Sequence, residues 1–189
     1  MAEAPLAVVL VEGVSDQLAL EALARRRARD LQAERVAVVP MGGSKGIGAF
    51  LEKFGPSGLD VRLAGLCDAG EEGDVRRGLE RAGLGSNLDR AGMERLGFYV
   101  CEADLEDELI RALGADAVIR IVEGQGELGR FRTFQQMPHK RGQSADVQLR
   151  RFLGAGSGRK LRYAPLLVDA LDLERVPRPL DRVLAHVSS

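Results

Sequence analysis

Four short apolar runs, residues 6–11, 36–40, 61–67 and 98–101, recur along the chain, and each pair is separated by a stretch with helical spacing. The runs are rich in β-branched or aromatic residues and too short for buried helices, so they read as strands covered on both faces. Between them Leu18, Leu20 and Leu23 precede an arginine-rich segment at 25–29; Ile47, Phe50, Leu51 and Phe54 follow; and residues 75–84 form a third helical stretch. Parallel strands need crossovers of about this length, and such crossovers are right-handed. The expected fold is therefore α/β and Rossmann-like: a four-stranded parallel sheet flanked by helices.

Beyond the fourth run the strand signal fades. Residues 105–113, 115–121, 147–153 and 161–171 suit helices, Gly124-Gln125-Gly126 marks a boundary, 138–142 and 154–158 read as loops, and 176–179 precedes a last short helix. The expected organisation is a catalytic domain over 1–125 and a helical, partly basic C-terminal extension over 126–189. A chain of 189 residues, 45% hydrophobic and 29% charged, can bury a sizeable core.

Charge is distributed unevenly. Residues 1–127 hold 15 Lys/Arg against 23 Asp/Glu, a balance of −8. In residues 128–163, Arg130, Arg132, Lys140, Arg141, Arg150, Arg151, Arg159, Lys160 and Arg162 stand against Asp146 alone. Such a segment suits contact with a phosphate backbone, although a chain with 23 Arg and 4 Lys has an arginine bias that codon composition alone would also produce. The N-terminal stretch has no basic start and its apolar run is too short for a membrane span. Cys67 and Cys101 end apolar runs, reading as small buried residues rather than a disulfide or zinc site. These features predict a cytoplasmic protein with no membrane partner.

Ligands of open parallel sheets bind beyond the carboxyl ends of the strands. Three of the four expected strands end there in acids: Val11 precedes Glu12, Cys67 precedes Asp68, and Cys101 precedes Glu102, Asp104 and Glu106. Asp16 lies in the first turn of a helix expected to open at Ser15, where side chains tilt back toward the strand end. Gathered carboxylates repel one another, and a hard divalent cation, Mg2+ or Mn2+, offsets that repulsion. Structural roles are also open: Asp104 as a helix cap, Glu106 and Asp107 as first-turn acids, and Glu71, Glu72 and Asp74 as a solvated face. The glycine-bearing loop around Gly43, Ser44 and Lys45 suits phosphate, yet no Walker A spacing is present.

The ordered set of Val11-Glu12-Gly13, Asp16, Asp68 and Asp104-Leu105-Glu106 resembles a TOPRIM domain over roughly residues 6–113. It is most similar to those of the OLD (overcoming lysogenisation defect) family nucleases and of standalone TOPRIM nucleotidyl transferase/hydrolase proteins. The resemblance implies a metal-dependent nuclease site. Glu12 and Asp16 would lie on one side, Asp68 beneath the scissile phosphate, and Asp104 with Glu106 would complete the metal shell. Lys160 matches a lysine that assists the transition state, with an exposed structural lysine as the alternative. Lys140, Arg141 and Arg159 join the expected nucleic-acid contacts, DNA first. Gly70 stands where topoisomerase-like members carry a second aspartate, which puts two-metal occupancy in question unless Glu71, Glu72 or Asp74 turns inward. The ATPase region of OLD proteins is not visible in the sequence, so nucleotide control would need a separate ATPase partner. The resemblance leaves open a weakened binding or regulatory subunit, or an enzyme acting on a small phosphorylated substrate.

Overall fold

Strand β1 (Ala7–Val11) is buried along its whole length, which a run of five apolar residues permits only at the centre of a sheet. A computed structural model, describing residues 4–156 and 158–188, places it there. The expected character of the first three residues and one position of the loop 154–158 lie outside the described residues. β1 pairs in parallel with β2 (Val36–Pro40) and β3 (Arg62–Cys67), and β3 pairs in parallel with β4 (Phe98–Val100), giving the order β2-β1-β3-β4. The α/β architecture and four parallel strands are as expected.

The pleat of β1 divides the core. Ala7, Val9 and Val11 enter a cluster on one face, while Val8 and Leu10 enter another on the opposite face. Helices α2 (Ile47–Phe54), α3 (Glu72–Arg81) and α4 (Arg90–Arg95) contribute Leu51, Leu79 and Met93 to the second face. The first face is covered by α1 (Val14–Arg26) and α5 (Leu105–Leu113), then by α6 (Ala115–Gly124), α7 (Leu128–Gln135), α8 (Ala145–Gly154), α9 (Arg159–Asp169) and α10 (Arg178–His186).

Leu20 and Leu23 of α1 and Leu167 and Val168 of α9 join the same apolar cluster, so the C-terminal helices complete the sheet's own core. This packing sets α9 and α8 beside α5. Gly65 in β3 allows another close approach: a Cβ there would lie 2.4 Å from the Phe98 ring. Two helices went unexpected, α4 and α7, and α1 opens at Val14 with Gly13 as its cap rather than at Ser15. No helix among the described residues is long and apolar enough to cross a membrane.

Candidate metal centre

At the carboxyl end of β1 the chain turns through Glu12 and Gly13 into α1. Asp16, at the third helical position, reaches back so that its Oδ2 accepts the Gly13 N–H at 2.8 Å. That contact is the reciprocal half of a capping box, and it fixes the carboxylate near the strand end. Burial raises its pKa to about 6; the charges of Glu106 and Glu12 add to the rise, while the Gly13 bond and Lys160 oppose it.

Asp68 follows β3 directly. Burial, then the charges of Glu12, Asp16 and Asp104, push its pKa up to about 8, and Glu12 lies within hydrogen-bonding reach. Glu12 also reaches Glu71, whose pKa is raised by burial and by Glu12. Glu71 sits in a short 3-10 turn, Ala69–Glu71, that tips it inward, whereas Glu72 pairs outward with Arg90 at 2.8 Å. Gly70 has no side chain to offer as a donor, and Glu71 is the neighbouring acid that interacts with Glu12. The resemblance left Glu71, Glu72 and Asp74 as alternatives at this place, and of these Glu71 is the one whose charge interacts with Glu12.

Asp104 and Glu106 begin α5. Asp104 does cap the helix, its Oδ1 accepting the Asp107 N–H at 2.9 Å, but its Oδ2 accepts a second bond from Arg150 Nε of α8 at 2.7 Å. Glu106 is 5% exposed. Its Oε2 accepts a bond from Lys160 Nζ of α9 at 3.0 Å, and its Oε1 has no hydrogen-bond partner. Partial burial works against the Lys160 charge, yet the carboxylates of Glu106, Asp104 and Asp68 outweigh it and lift the ammonium pKa above its ordinary value.

The residues expected to contact phosphate or nucleic acid differ in how the fold engages them, and of the bases among them Arg159 is the one held inside it. The Gly43 N–H is donated to the Glu12 carbonyl at 3.1 Å and is thus engaged, with Gly43 at φ +115°, where glycine is favoured. Ser44 is buried and its hydroxyl donates to Asp74 at 3.3 Å; Lys45 is exposed. Arg159 faces inward: its guanidinium donates to the Phe152 carbonyl at 2.9 Å and to Glu127 at 3.1 Å, and it stacks 4.1 Å from the Phe152 ring centre. It is a packing residue, because a buried acid that sequence analysis missed holds it. Glu127 also accepts bonds from Arg130, Arg162 and the Tyr163 hydroxyl. Lys140 lies over the Phe134 ring, and Arg141 is exposed and bonds the Gln136 carbonyl. Five of the nine bases thus hold carboxylates: Arg130, Arg150, Arg159, Lys160 and Arg162.

No three Asp, Glu, His or Cys side chains among the described residues close into a ligand set for an ion. Arg150 and Lys160 engage Asp104 and Glu106, and Asp16 engages the Gly13 N–H. The donors are all hard oxygens, and Glu106 Oε1 and Glu71 Oε2 are buried without partners. Buried unpaired carboxylate oxygens are costly, and that donor chemistry fits Mg2+ or Mn2+. Cys67 and Cys101 are buried free thiols, and burial pushes the Cys67 pKa up to about 12.

A family model, overcoming lysogenization defect protein-like, TOPRIM domain, matches residues 6–69. The C-terminal region of the OLD protein of Xanthomonas campestris pv. campestris superposes with a TM-score of 0.72 at 23% identity, over 97% of this chain and 94% of that one. The corresponding region of the Burkholderia pseudomallei OLD protein gives a TM-score of 0.74 at 18% identity, covering 97% of both chains. No curated protein matches the sequence. The match to the OLD-like TOPRIM domain model thus covers residues 6–69, within a chain that is similar in fold to the OLD C-terminal regions over 97% of its length.

Proposed function

We propose that this protein hydrolyses phosphodiester bonds in nucleic acid, with DNA the expected polymer, using Mg2+ or Mn2+ bound by Glu12, Asp16, Asp68, Asp104 and Glu106. The observation that carries this reading is Glu106, nine-tenths buried with one carboxylate oxygen unpartnered, among acids whose charges already act on one another. A divalent ion there supplies positive charge for the phosphate oxygens and lowers the pKa of a bound water. Glu12 and Asp68 orient that centre from the ends of adjacent strands. Lys160, half-buried beside Glu106, presents its ammonium to charge developing on the phosphate.

Supercoiled plasmid should be nicked by the wild type with Mn2+ or Mg2+ and left intact with a chelator. Glu12→Gln should lower the rate by roughly a thousandfold. Equal nicking by wild type and Glu12→Gln would sink the proposal.

Glu71 belongs in the same centre, because it is the acid that turns toward Glu12 where Gly70 offers none. Glu71→Gln should weaken Mn2+ affinity by about tenfold, since one charged ligand near an ion is worth over a kcal/mol. Calorimetric titration measures this. An unchanged dissociation constant would return Glu71 to a structural role.

A small phosphorylated substrate is the second reading. It is favoured by the capture of five bases in ion pairs, which leaves less positive surface for a polymer.

A further inference from the structure

Arg150 projects from α8 toward α5, and its Nε donates to Asp104 Oδ2 at 2.7 Å. On the neighbouring helix α9, Lys160 Nζ donates to Glu106 Oε2 at 3.0 Å. Asp104 and Glu106 lie two residues apart on α5, so two cations from the C-terminal helices meet two acids at one helix start. The arrangement is asymmetric in burial. The carboxylate side chains are 15% and 7% exposed, whereas Arg150 and Lys160 are 42% and 44% exposed. The acids are fixed, and the bases reach in from solvent on long stems.

We propose that Arg150 is a phosphate-binding residue that exchanges partners: it neutralises Asp104 in the metal-free protein and turns to a substrate phosphate when a divalent ion takes that carboxylate. The inference rests on the metal-centre reading above. Asp104 cannot present Oδ2 to an ion and retain the Arg150 bond at full strength, because both cations seek the same lone pairs. Released, the guanidinium remains at the crevice mouth, where Asp68 also acts on its charge. Its planar fork suits two oxygens of a phosphodiester, which a lysine ammonium cannot match in geometry. Asp104 keeps its Oδ1 bond to the Asp107 N–H throughout, so the helix cap survives the exchange. Lys160 makes the parallel exchange from Glu106, and the two bases together flank the phosphate.

The test uses the full chain with Arg150→Gln and Arg150→Lys, two probes, and circular dichroism to establish folding. Mn2+ alone is titrated by calorimetry. A fluorescein-labelled DNA duplex is titrated in Ca2+, which holds the charge of the centre while suppressing cleavage. Removing the competing cation should tighten Mn2+ binding of Arg150→Gln by about threefold to tenfold, while duplex binding weakens by about tenfold and its salt slope falls by about one. Arg150→Lys should retain the slope but recover affinity only in part. Unchanged or weaker Mn2+ binding in Arg150→Gln, or duplex binding equal to wild type, overturns the exchange and leaves Arg150 a surface ion pair. Wild-type protein that binds no Mn2+ overturns the metal-centre reading itself, and the exchange with it.

Discussion

Asp68→Asn is expected to reduce metal-dependent phosphodiester cleavage by a thousandfold or more and, at the same time, to make the metal-free protein harder to unfold. The first effect follows from the proposed role of Asp68, at the end of β3, as an anionic ligand of the ion. The second follows from the cost of holding that anion without a cation. Burial and the charges of Glu12, Asp16 and Asp104 raise the Asp68 pKa to about 8. A raised carboxylate pKa means that the folded state takes up the proton more readily than the unfolded chain. Its stability contribution is therefore fullest below the ordinary carboxylate value and declines as pH rises toward 8. Asparagine removes that decline while keeping a polar group to face Glu12. Asp68 is not fully buried, and solvent screening reduces the gain to about 1–2 kcal/mol at pH 8, a rise of about 3–6 °C in melting temperature for a chain of this size. Thermal melts with and without Mn2+ separate the effects: wild type should gain stability on adding the ion and Asp68→Asn should gain little. A variant that melts lower than wild type without metal would show that Asp68 stabilises the fold as an anion.

The division of labour behind that prediction was largely legible in the sequence. Strand positions followed from unbroken apolar runs, and β2 matches its expected bounds, 36–40. Glu12, Asp68 and Asp104 could be singled out as candidates because strand ends in a parallel sheet converge on one crevice, a rule that needs no side-chain geometry. What stayed hidden was whatever depends on long-range pairing. The basic segment 128–163 looked like an unopposed positive surface because Glu127 sits just before it and because Asp104 and Glu106 lie 46 and 54 positions from Arg150 and Lys160. Charge counted along the chain could not show that these groups meet. The short helices α4 and α7 escaped for a local reason: each buries one large side chain, Met93 or Phe131, too little to reveal a period. The inward turn of Glu71 depends on a single 3-10 turn after Asp68, a backbone choice that Ala69-Gly70 permits without signalling.

Glu127→Gln should be the most destabilising single substitution among the polar residues, because a buried anion there ties α7 to α9. Glu127 is 4% exposed. It precedes α7 and accepts bonds from Arg159, Arg162 and Tyr163 of α9, with Arg130 at 3.4 Å. Burial acts to raise its pKa, but the bonds from Arg159 and Tyr163 and the charges of Arg159 and Arg162 prevail and hold it at about 2. A depressed carboxylate pKa contributes stability that is fully present above the ordinary value near 4.5 and is lost as pH falls toward 2. Removing the charge leaves Arg159, itself mostly buried, without its counter-ion, at a cost of about 3 kcal/mol. Urea unfolding at pH 7 should show that loss as a lower midpoint, and the gap between wild type and variant should narrow steadily from pH 4.5 to pH 2. Equal midpoints at pH 7 would mean that the exposed Arg130 and Arg162 carry the pairing and that water replaces it freely. The loss should also reach the crevice. Arg159 adjoins Lys160 in the first turn of α9, so loosening that turn displaces the ammonium from Glu106. A shift of about 1 Å at a reacting phosphate lowers turnover by as much as a hundredfold, and below the unfolding transition that deficit should appear with Mn2+ affinity nearly intact.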